Sequence, residues 1–167
     1  LLNFLYKLKE KKLISKIGVS IYEFNEIKNI ADFKLIDIVQ IPFNLLNTSI
    51  LEKINKNYPK RTFKIFARSI FLQGLLLVRS EQLPKKFKRY ANVWNKLREW
   101  FEANNVSPLE GCLSFALSNK NIDKIIFGID SSSHLDKLLN SKCQRLSKLP
   151  DMSNDIDNFL IDPRLWK

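Results

Sequence analysis

Small polar residues follow the short apolar runs of this sequence, where they could bind a polar ligand. The most informative group is Gly-Ile-Asp-Ser-Ser-Ser at 128–133, directly after the apolar run 122–127. A glycine lets the backbone approach a ligand closely, and the first N–H groups of a helix that begins at a serine attract phosphate. An ordinary strand-to-helix turn with a serine cap explains the same residues, so both interpretations stay open.

Similar residues end the other apolar runs. Ser20, Gln40 and the pair Arg68 and Ser69 each follow a predicted strand. In parallel α/β proteins the ligand lies beyond the carboxyl ends of the strands, so these side chains are candidate ligand contacts. The apolar segment 70–76 comes next, and it is either part of the core or a wall over the ligand.

Candidates for acid–base or metal chemistry are few. His134, the only histidine, could be a general acid, but its place in a first helical turn beside three serines favours a surface or phosphate-neighbouring position. No tyrosine is predicted just past a strand end, so none is a candidate proton donor; the four are Tyr6, Tyr22, Tyr58 and Tyr90. Cys112 and Cys143 lie too far apart for a zinc site, and free thiols suit a cytoplasmic protein.

Strands and helices must position these residues, and the apolar pattern predicts their alternation. Strands are predicted at residues 16–20, 35–41, 63–67 and 122–127, and helices at 2–12, 22–30, 49–57, 84–104, 109–118 and 135–149. Tyr22, Ile27 and Ile30 are expected on an inner helical face, Ser49 and Ser107 as caps, and the tail from 152 as irregular. Four strand–helix units predict a parallel sheet, either a small open sheet or half of an eight-fold barrel.

Composition indicates one soluble domain with a strong positive charge. The 167 residues are 45% hydrophobic and carry a net charge of +11, which attracts nucleic acid, membrane headgroups or a phosphorylated cofactor. No apolar run is long enough to span a membrane, so no membrane role is expected. Residues 85–90 mix lysines with aromatics, as single-stranded nucleic-acid binders do, although an amphipathic helix with a solvated basic face is favoured.

Five segments, taken in order, resemble the C-terminal half of the aldo-keto reductases. They are Ile-Gly-Val-Ser at 17–20, Ile-Val-Gln-Ile-Pro-Phe-Asn at 38–44, Phe-Ala-Arg-Ser at 66–69 with Gln-Gly-Leu-Leu at 73–76, Val-Ser-Pro at 106–108 with Ala116 and Leu117, and Ile-Phe-Gly-Ile-Asp-Ser at 126–131 with Leu135. The resemblance implies that residues 1–167 are a single partial domain, the C-terminal half of a TIM-type (β/α)8 barrel with about four βα units. It also implies an oxidoreductase that reduces a small carbonyl substrate with NADP or NAD.

The resemblance assigns cofactor contacts by position. Ser20 and Gln40 match residues that hold the nicotinamide carboxamide, and Arg68 stands where many members stack a tyrosine on the ring. The pyrophosphate is expected along Ser69, Phe71 and Gln73, and the adenosine end among Gly128, Asp130, Ser131 and His134. Two positions depart from the pattern: Ile21 replaces an asparagine, and His134 replaces an arginine that binds the NADP 2′-phosphate. A neutral histidine leaves the choice between NADPH and NADH open.

The family's catalytic aspartate, tyrosine, lysine and histidine have no counterpart here, so no catalytic residue is assigned. The expectation is a fragment that holds the cofactor-binding half, is inactive alone and needs the missing N-terminal half as its partner. One alternative is a non-catalytic half-barrel that binds a nucleotide or a partner chain through its exposed strand edges. A basic nucleic-acid-binding module is a further alternative.

Overall fold

One parallel sheet organises the chain, which the computed structural model describes at residues 1–30 and 33–167. The strands are β1 (Gly18–Ser20), β2 (Ile38–Pro42), β3 (Lys64–Arg68) and β4 (Lys124–Ile125). They lie side by side in the order β1-β2-β3-β4, and every neighbouring pair is parallel. The predicted parallel sheet of four strands is therefore confirmed.

Over the described residues, six α-helices and several 3₁₀ segments accompany the sheet. The α-helices are α1 (Leu2–Glu10), α2 (Ser49–Asn57), α3 (Ala91–Ala103), α4 (Pro108–Leu117), α5 (Ser132–Leu139) and α6 (Asn158–Ile161). The bounds of α2 agree with the prediction, but the prediction of Ser49 as its cap is wrong. The N-cap is Thr48, and the Ser49 hydroxyl donates to Asn47 Oδ1. Ser107 caps α4 as predicted, accepting the N–H of Glu110. Within the described ranges, no helix has the length and apolar character needed to cross a bilayer.

Two predicted helices form partly or wholly as 3₁₀ segments. The predicted helix 84–104 is broken into a 3₁₀ segment, Lys85–Tyr90, followed by α3. In a 3₁₀ segment residues i and i+3 eclipse, and here that brings both Phe87 and Tyr90 into the core. The predicted helix 22–30 is a 3₁₀ segment, Phe24–Asn29, with Ile27 buried.

The end of the chain also differs from the sequence prediction. The last long helix was expected to reach residue 149 but stops at Leu139, because the following backbone bonds to other elements. The N–H of Gln144 donates to Ser114 Oγ at 3.1 Å, and the N–H of Ser147 donates to Asn104 Oδ1 at 2.7 Å. The tail, predicted irregular, contains α6 and two 3₁₀ turns, and β4 is shorter than the predicted strand 122–127.

Two apolar clusters form the core. The first lies behind the sheet, where Val39, Ile41, Ile65 and Ala67 of the central strands are fully buried. The alternate residues of these strands point to the other face and, apart from the buried Pro42 at the end of β2, are half-buried or exposed. The second cluster is built around the aromatic face of α3 and is covered by the tail. The sheet and α3 are thereby fixed in one packed unit that positions the strand ends.

Gly111 in α4 allows a close approach to α3. A Cβ atom at this position would lie 2.4 Å from the ring of Phe101, which is itself buried. We expect Gly111→Ala to destabilise the fold by about 1–3 kcal/mol through overpacking, only partly offset by roughly 0.5–1 kcal/mol of helix propensity. Urea unfolding of the variant and the natural chain measures this. An unchanged or raised midpoint would contradict the close contact.

Asp37 joins α1 to the start of β2. Its carboxylate accepts a hydrogen bond from Lys9 Nζ at 2.6 Å and from the N–H of Ile17 at 2.7 Å. Burial alone raises the pKa of Asp37, but these hydrogen bonds and the charges of Lys9 and Lys16 outweigh it, so the net pKa is lowered. The ion pair therefore favours the folded chain once the carboxylate is charged.

We expect Asp37→Asn to cost about 1–2 kcal/mol at neutral pH, since a charged hydrogen-bonded group is lost. Because the folded pKa lies below the unfolded value, this stability is present above about pH 4 and is lost as the pH falls through the folded pKa. Between pH 3 and pH 7 the free energy of unfolding should therefore change less with pH in the variant than in the natural chain. Asp136→Asn, at an exposed position on α5, is the matched control and should leave this pH dependence as it is in the natural chain.

Candidate functional site

The carboxyl ends of β1 and β2 bring two predicted site residues together. Ser20 and Gln40 are register partners, and the Ser20 hydroxyl donates to Gln40 Oε1 at 2.6 Å. This bond orients the Gln40 amide so that its NH₂ group is turned away from Ser20. The pair forms one polar unit at the mouth of the sheet, able to exchange hydrogen bonds with a planar amide.

Arg68 ends β3 next to this pair and joins neighbouring segments. Its guanidinium donates to the carbonyl of Ile21 and to the hydroxyl of Ser69, both at 3.3 Å. Asn44, which is 1% exposed, donates from Nδ2 to the carbonyl of Ser69 at 3.2 Å. Asn44 therefore fixes the backbone at Ser69, a positioning role that sequence analysis did not assign although the residue ends the second matched segment.

Tyr22 lies between two arginines, and its prediction as an inner-face residue is wrong. It follows the end of β1 by two residues, and the guanidinium carbons of Arg68 and Arg164 each lie 4.1 Å from its ring centroid. The ring is exposed because it packs against these cations and not against the core. A tyrosine does therefore follow a strand end, contrary to the sequence prediction.

The tail residue Arg164 is itself held by acidic groups. Its guanidinium binds Asp162 at 2.6 Å and lies 3.5 Å from Glu23. The hydrogen bond from Arg164 lowers the pKa of Asp162 against the opposing effect of burial, and the positive charge of Arg68 contributes. The tail thereby contributes a fixed cation beside the mouth of the sheet.

The loop after β3 has an unusual backbone. Ser69, Leu72 and Gln73 all have positive φ, as does Gly74 at 82°. Left-handed non-glycine residues cost roughly 1–3 kcal/mol each and cluster at ligand sites. Buried Ile70, Leu72, Leu75 and Leu76 hold the loop in place. The core interpretation therefore holds for these residues, while Phe71, Gln73 and Gly74 of the same segment line a cleft.

This cleft has a volume of about 430 Å³ and separates the loop after β3 from the segment after β4. Seven of the ten predicted cofactor residues line it: Arg68, Ser69, Phe71, Gln73, Gly128, Asp130 and His134. Phe71 and Phe127 stack across it with ring centroids 5.9 Å apart. Two segments far apart in sequence thus form the walls of one cleft, and aromatic side chains contribute to its lining.

The remaining three predicted residues lie elsewhere. Ser20 and Gln40 form their own pair, and Ser131 is the N-cap of α5, where its hydroxyl accepts the N–H of His134 at 3.1 Å. Five further lining residues were not among the ten predicted contacts: Ile70, Gly74, Leu77, Ile126 and Phe127. Ile70 and Gly74 lie in segment 70–76, for which a wall over the ligand was one of the two interpretations. The alternation of the strand in 122–127 was the only sequence signal for Ile126 and Phe127, and it cannot show which neighbour closes the cleft.

Two other sequence features have structural roles. In segment 85–90, Phe87 is 2% exposed and Tyr90 is 5% exposed, so neither ring is available to stack on a base. Arg89 and Tyr90 both bind Asp157, which fixes the tail against α3. This geometry disfavours the nucleic-acid interpretation of the segment.

The cysteines are free thiols, and burial raises the pKa of the Cys112 thiol, which leaves it unreactive. Over the part of the chain that the structure describes, no three His, Cys, Asp or Glu side chains cluster as metal ligands.

Comparison with known proteins gives a family. No curated protein matched the chain. The model of the family described as "Aldo/keto reductase family" matches residues 1–158 of the 167 residues. The match extends from α1 through the sheet and the cleft to the start of α6. With nearly its whole length matched, the chain belongs to the aldo/keto reductase family, a family of oxidoreductases with a TIM-barrel-like α/β fold.

Proposed function

We propose that this chain provides the nicotinamide-nucleotide-binding part of a reductase that converts an aldehyde or ketone to an alcohol. The observation that carries the proposal is the cleft between the loop after β3 and the segment after β4. Its lining residues follow the carboxyl ends of β3 and β4, where parallel α/β proteins bind ligands. NADP or NAD would be bound in its reduced form, NADPH or NADH, and that form would supply the hydride and become NADP+ or NAD+.

Each part of the mouth fits one part of such a cofactor. The oriented amide of Gln40, paired with Ser20, suits the carboxamide of a nicotinamide. Ser69, Leu72, Gln73 and Gly74 in the loop after β3 have positive φ. Backbone turns with such residues can form concave N–H sites, which suit pyrophosphate. Gly128, Asp130 and His134 would surround the adenosine end. These residues would bind and orient the cofactor.

The sheet itself supports the proposal of a partial barrel. In the described ranges β1 and β4 each pair with a single neighbour, so both have a free edge. On the open face Ile38, Gln40 and Phe66 are only half-buried. We propose that residues 1–167 form the C-terminal half of a (β/α)8 barrel and that an N-terminal half with four further strands is the partner. The two free cysteines fit a reducing compartment such as the cytoplasm.

Catalysis would then depend on that partner. Reduction of a carbonyl needs a proton donor for the new alkoxide, and we assign no such donor in this chain. Alone, the chain should bind the nucleotide without turning over a small carbonyl substrate. A second candidate, a half-barrel that binds nucleotide or a partner chain without catalysis, is favoured by the same free strand edges. Turnover after addition of an N-terminal half separates the two, since only the reductase gains it.

The first test fills the cleft at Gly128. A Cβ atom there meets nothing within 4 Å, so a side chain can be added without a clash. We expect Gly128→Leu to weaken binding of NADPH and NADH by about tenfold or more, because the side chain occupies ligand space. Titration calorimetry with the full chain measures both affinities.

Gly128→Ala is the matched control and should bind nearly as well as the natural chain. The midpoint of urea unfolding should be the same for both variants as for the natural chain. That result separates blocked binding from misfolding. Equal affinity in Gly128→Leu and the natural chain would place the nucleotide outside this cleft.

A second test concerns the choice of nucleotide. We expect His134→Arg to raise the affinity for NADPH by about tenfold while leaving NADH unchanged, because arginine adds charged hydrogen bonds to the 2′-phosphate. His134→Gln, which is neutral, is the control and should change neither affinity. If the affinity for NADH rose as much as the affinity for NADPH, His134 would not lie beside the 2′-position of the bound nucleotide.

A further inference from the structure

Because the four strands are parallel, their amino ends share one edge of the sheet, opposite the mouth. Contacts join the loops that lead into this edge, since the Arg61 guanidinium donates to the carbonyl of Asn121 at 2.8 Å. An exposed lysine precedes every strand here: Lys16 before β1, Lys34 before β2, Lys60 before β3 and Lys120 before β4. Lysines that are far apart in sequence therefore form one basic surface, the basic edge.

Few carboxylates neutralise the basic edge. In the described ranges they are those of Glu10, Asp37, which pairs with Lys9, and Asp123, which accepts the N–H of Ile65 at 2.8 Å. Further cations add to the lysines before the strands: Lys11, Lys12, Arg61, Lys64 and Lys124. Among the residues that the structure describes, every other ion pair involves α3, the 3₁₀ segment before it or the tail. An anionic surface would therefore meet uncompensated positive charge at this edge.

Two leucines stand among these lysines with most of their surface exposed. Leu13, between α1 and β1, is 70% exposed, and Leu117, at the C-terminal end of α4, is 59% exposed. The backbone fixes the position of Leu13, because Lys12 before it is left-handed at φ 58° and the Leu13 N–H donates to the carbonyl of Leu8 at 3.0 Å. Exposed apolar side chains beside lysines are typical of surfaces that bind the interface of an anionic bilayer.

Positive charge also attracts nucleic acid, but the aromatic side chains nearest the basic edge are engaged with each other. Phe33, Tyr58 and Phe63 pack together with ring centroids between 5.0 and 5.8 Å apart. Stacking on exposed aromatic rings is the contact that single-stranded nucleic acid uses most. The exposed side chains at this edge, lysines and leucines, suit phospholipid better.

We propose that the basic edge binds the surface of an anionic lipid bilayer. The lysines lie at the phospholipid headgroups, and Leu13 and Leu117 enter the boundary between headgroups and acyl chains. A surface interaction of this kind needs no spanning helix, and it leaves the mouth of the sheet facing the solution. The inference does not rest on the proposed nucleotide site, because no residue of the basic edge lines that cleft.

The test is sedimentation of the full chain with phosphatidylcholine vesicles that contain either no phosphatidylserine or about 30% of it. We expect the phosphatidylserine vesicles to bind the chain at least about tenfold more tightly, and raised salt to remove this difference. Leu13→Ser should weaken binding to these vesicles by about fivefold, because an apolar side chain no longer enters the bilayer. Leu165→Ser, at an exposed leucine of the tail, is the control and should leave the affinity unchanged.

A pair of double variants separates the basic edge from the net charge of the chain. Lys16→Gln combined with Lys120→Gln should weaken vesicle binding by about tenfold. Lys85→Gln combined with Lys88→Gln removes the same charge from another exposed surface and should change binding by less than about twofold.

Equal affinity for the two kinds of vesicle, equal losses in the two double variants, or insensitivity to Leu13→Ser would overturn the proposal. Binding of oligodeoxythymidine without binding of the phosphatidylserine vesicles would assign the basic edge to nucleic acid and would also overturn it.

Discussion

Parallel pairing of β2 with β3 is the interaction on which the rest of the structure depends. Five register pairs, from Ile38 with Lys64 to Pro42 with Arg68, align the two strands over their full length. The pairing continues past the strands, since the N–H of Phe43 donates to the carbonyl of Arg68 at 3.0 Å. Both strands therefore end at the same level, and all the polar residues that follow them reach one edge of the sheet.

The loop after β3 depends on that alignment. Its left-handed residues would be unstable in isolation, and the core compensates by burying Leu72 and Leu76 beneath them. Asn44, at the end of β2, bonds the carbonyl of Ser69 and so ties the loop to the neighbouring strand. The backbone that faces the cleft is consequently preorganised, which reduces the entropy that a bound ligand must overcome.

Sequence patterns predicted those parts of the fold that local chemistry decides. The central strands, the bounds of α2 and the Ser107 cap follow from apolar runs and capping residues, and they are observed. The ordered segments also pointed to the family that the comparison found. The predicted residues of the loop after β3 and most of those after β4 were found in one cleft, because parallel strands bring their carboxyl ends together.

Tertiary contacts decided what the sequence could not show. Tyr22 has an aromatic side chain at a helical spacing, yet two distant arginines hold it at the surface. The helix expected to 149 stops at Leu139 because side chains of α4 and of the α3 C-terminus capture the backbone that follows. In both cases the competing partner lies far away along the chain. Ser131 differs, because its hydroxyl caps α5 through the N–H of His134, three residues later, and the sequence analysis had left that serine cap open.

Hydrogen–deuterium exchange of the full chain, with and without saturating NADPH, tests the central claim most directly. If the cleft binds the nucleotide, added NADPH should slow amide exchange in residues 69–77 and 126–134 together, while residues 85–90 exchange as before. Protection confined to other segments, or no protection in either wall of the cleft, would contradict the account.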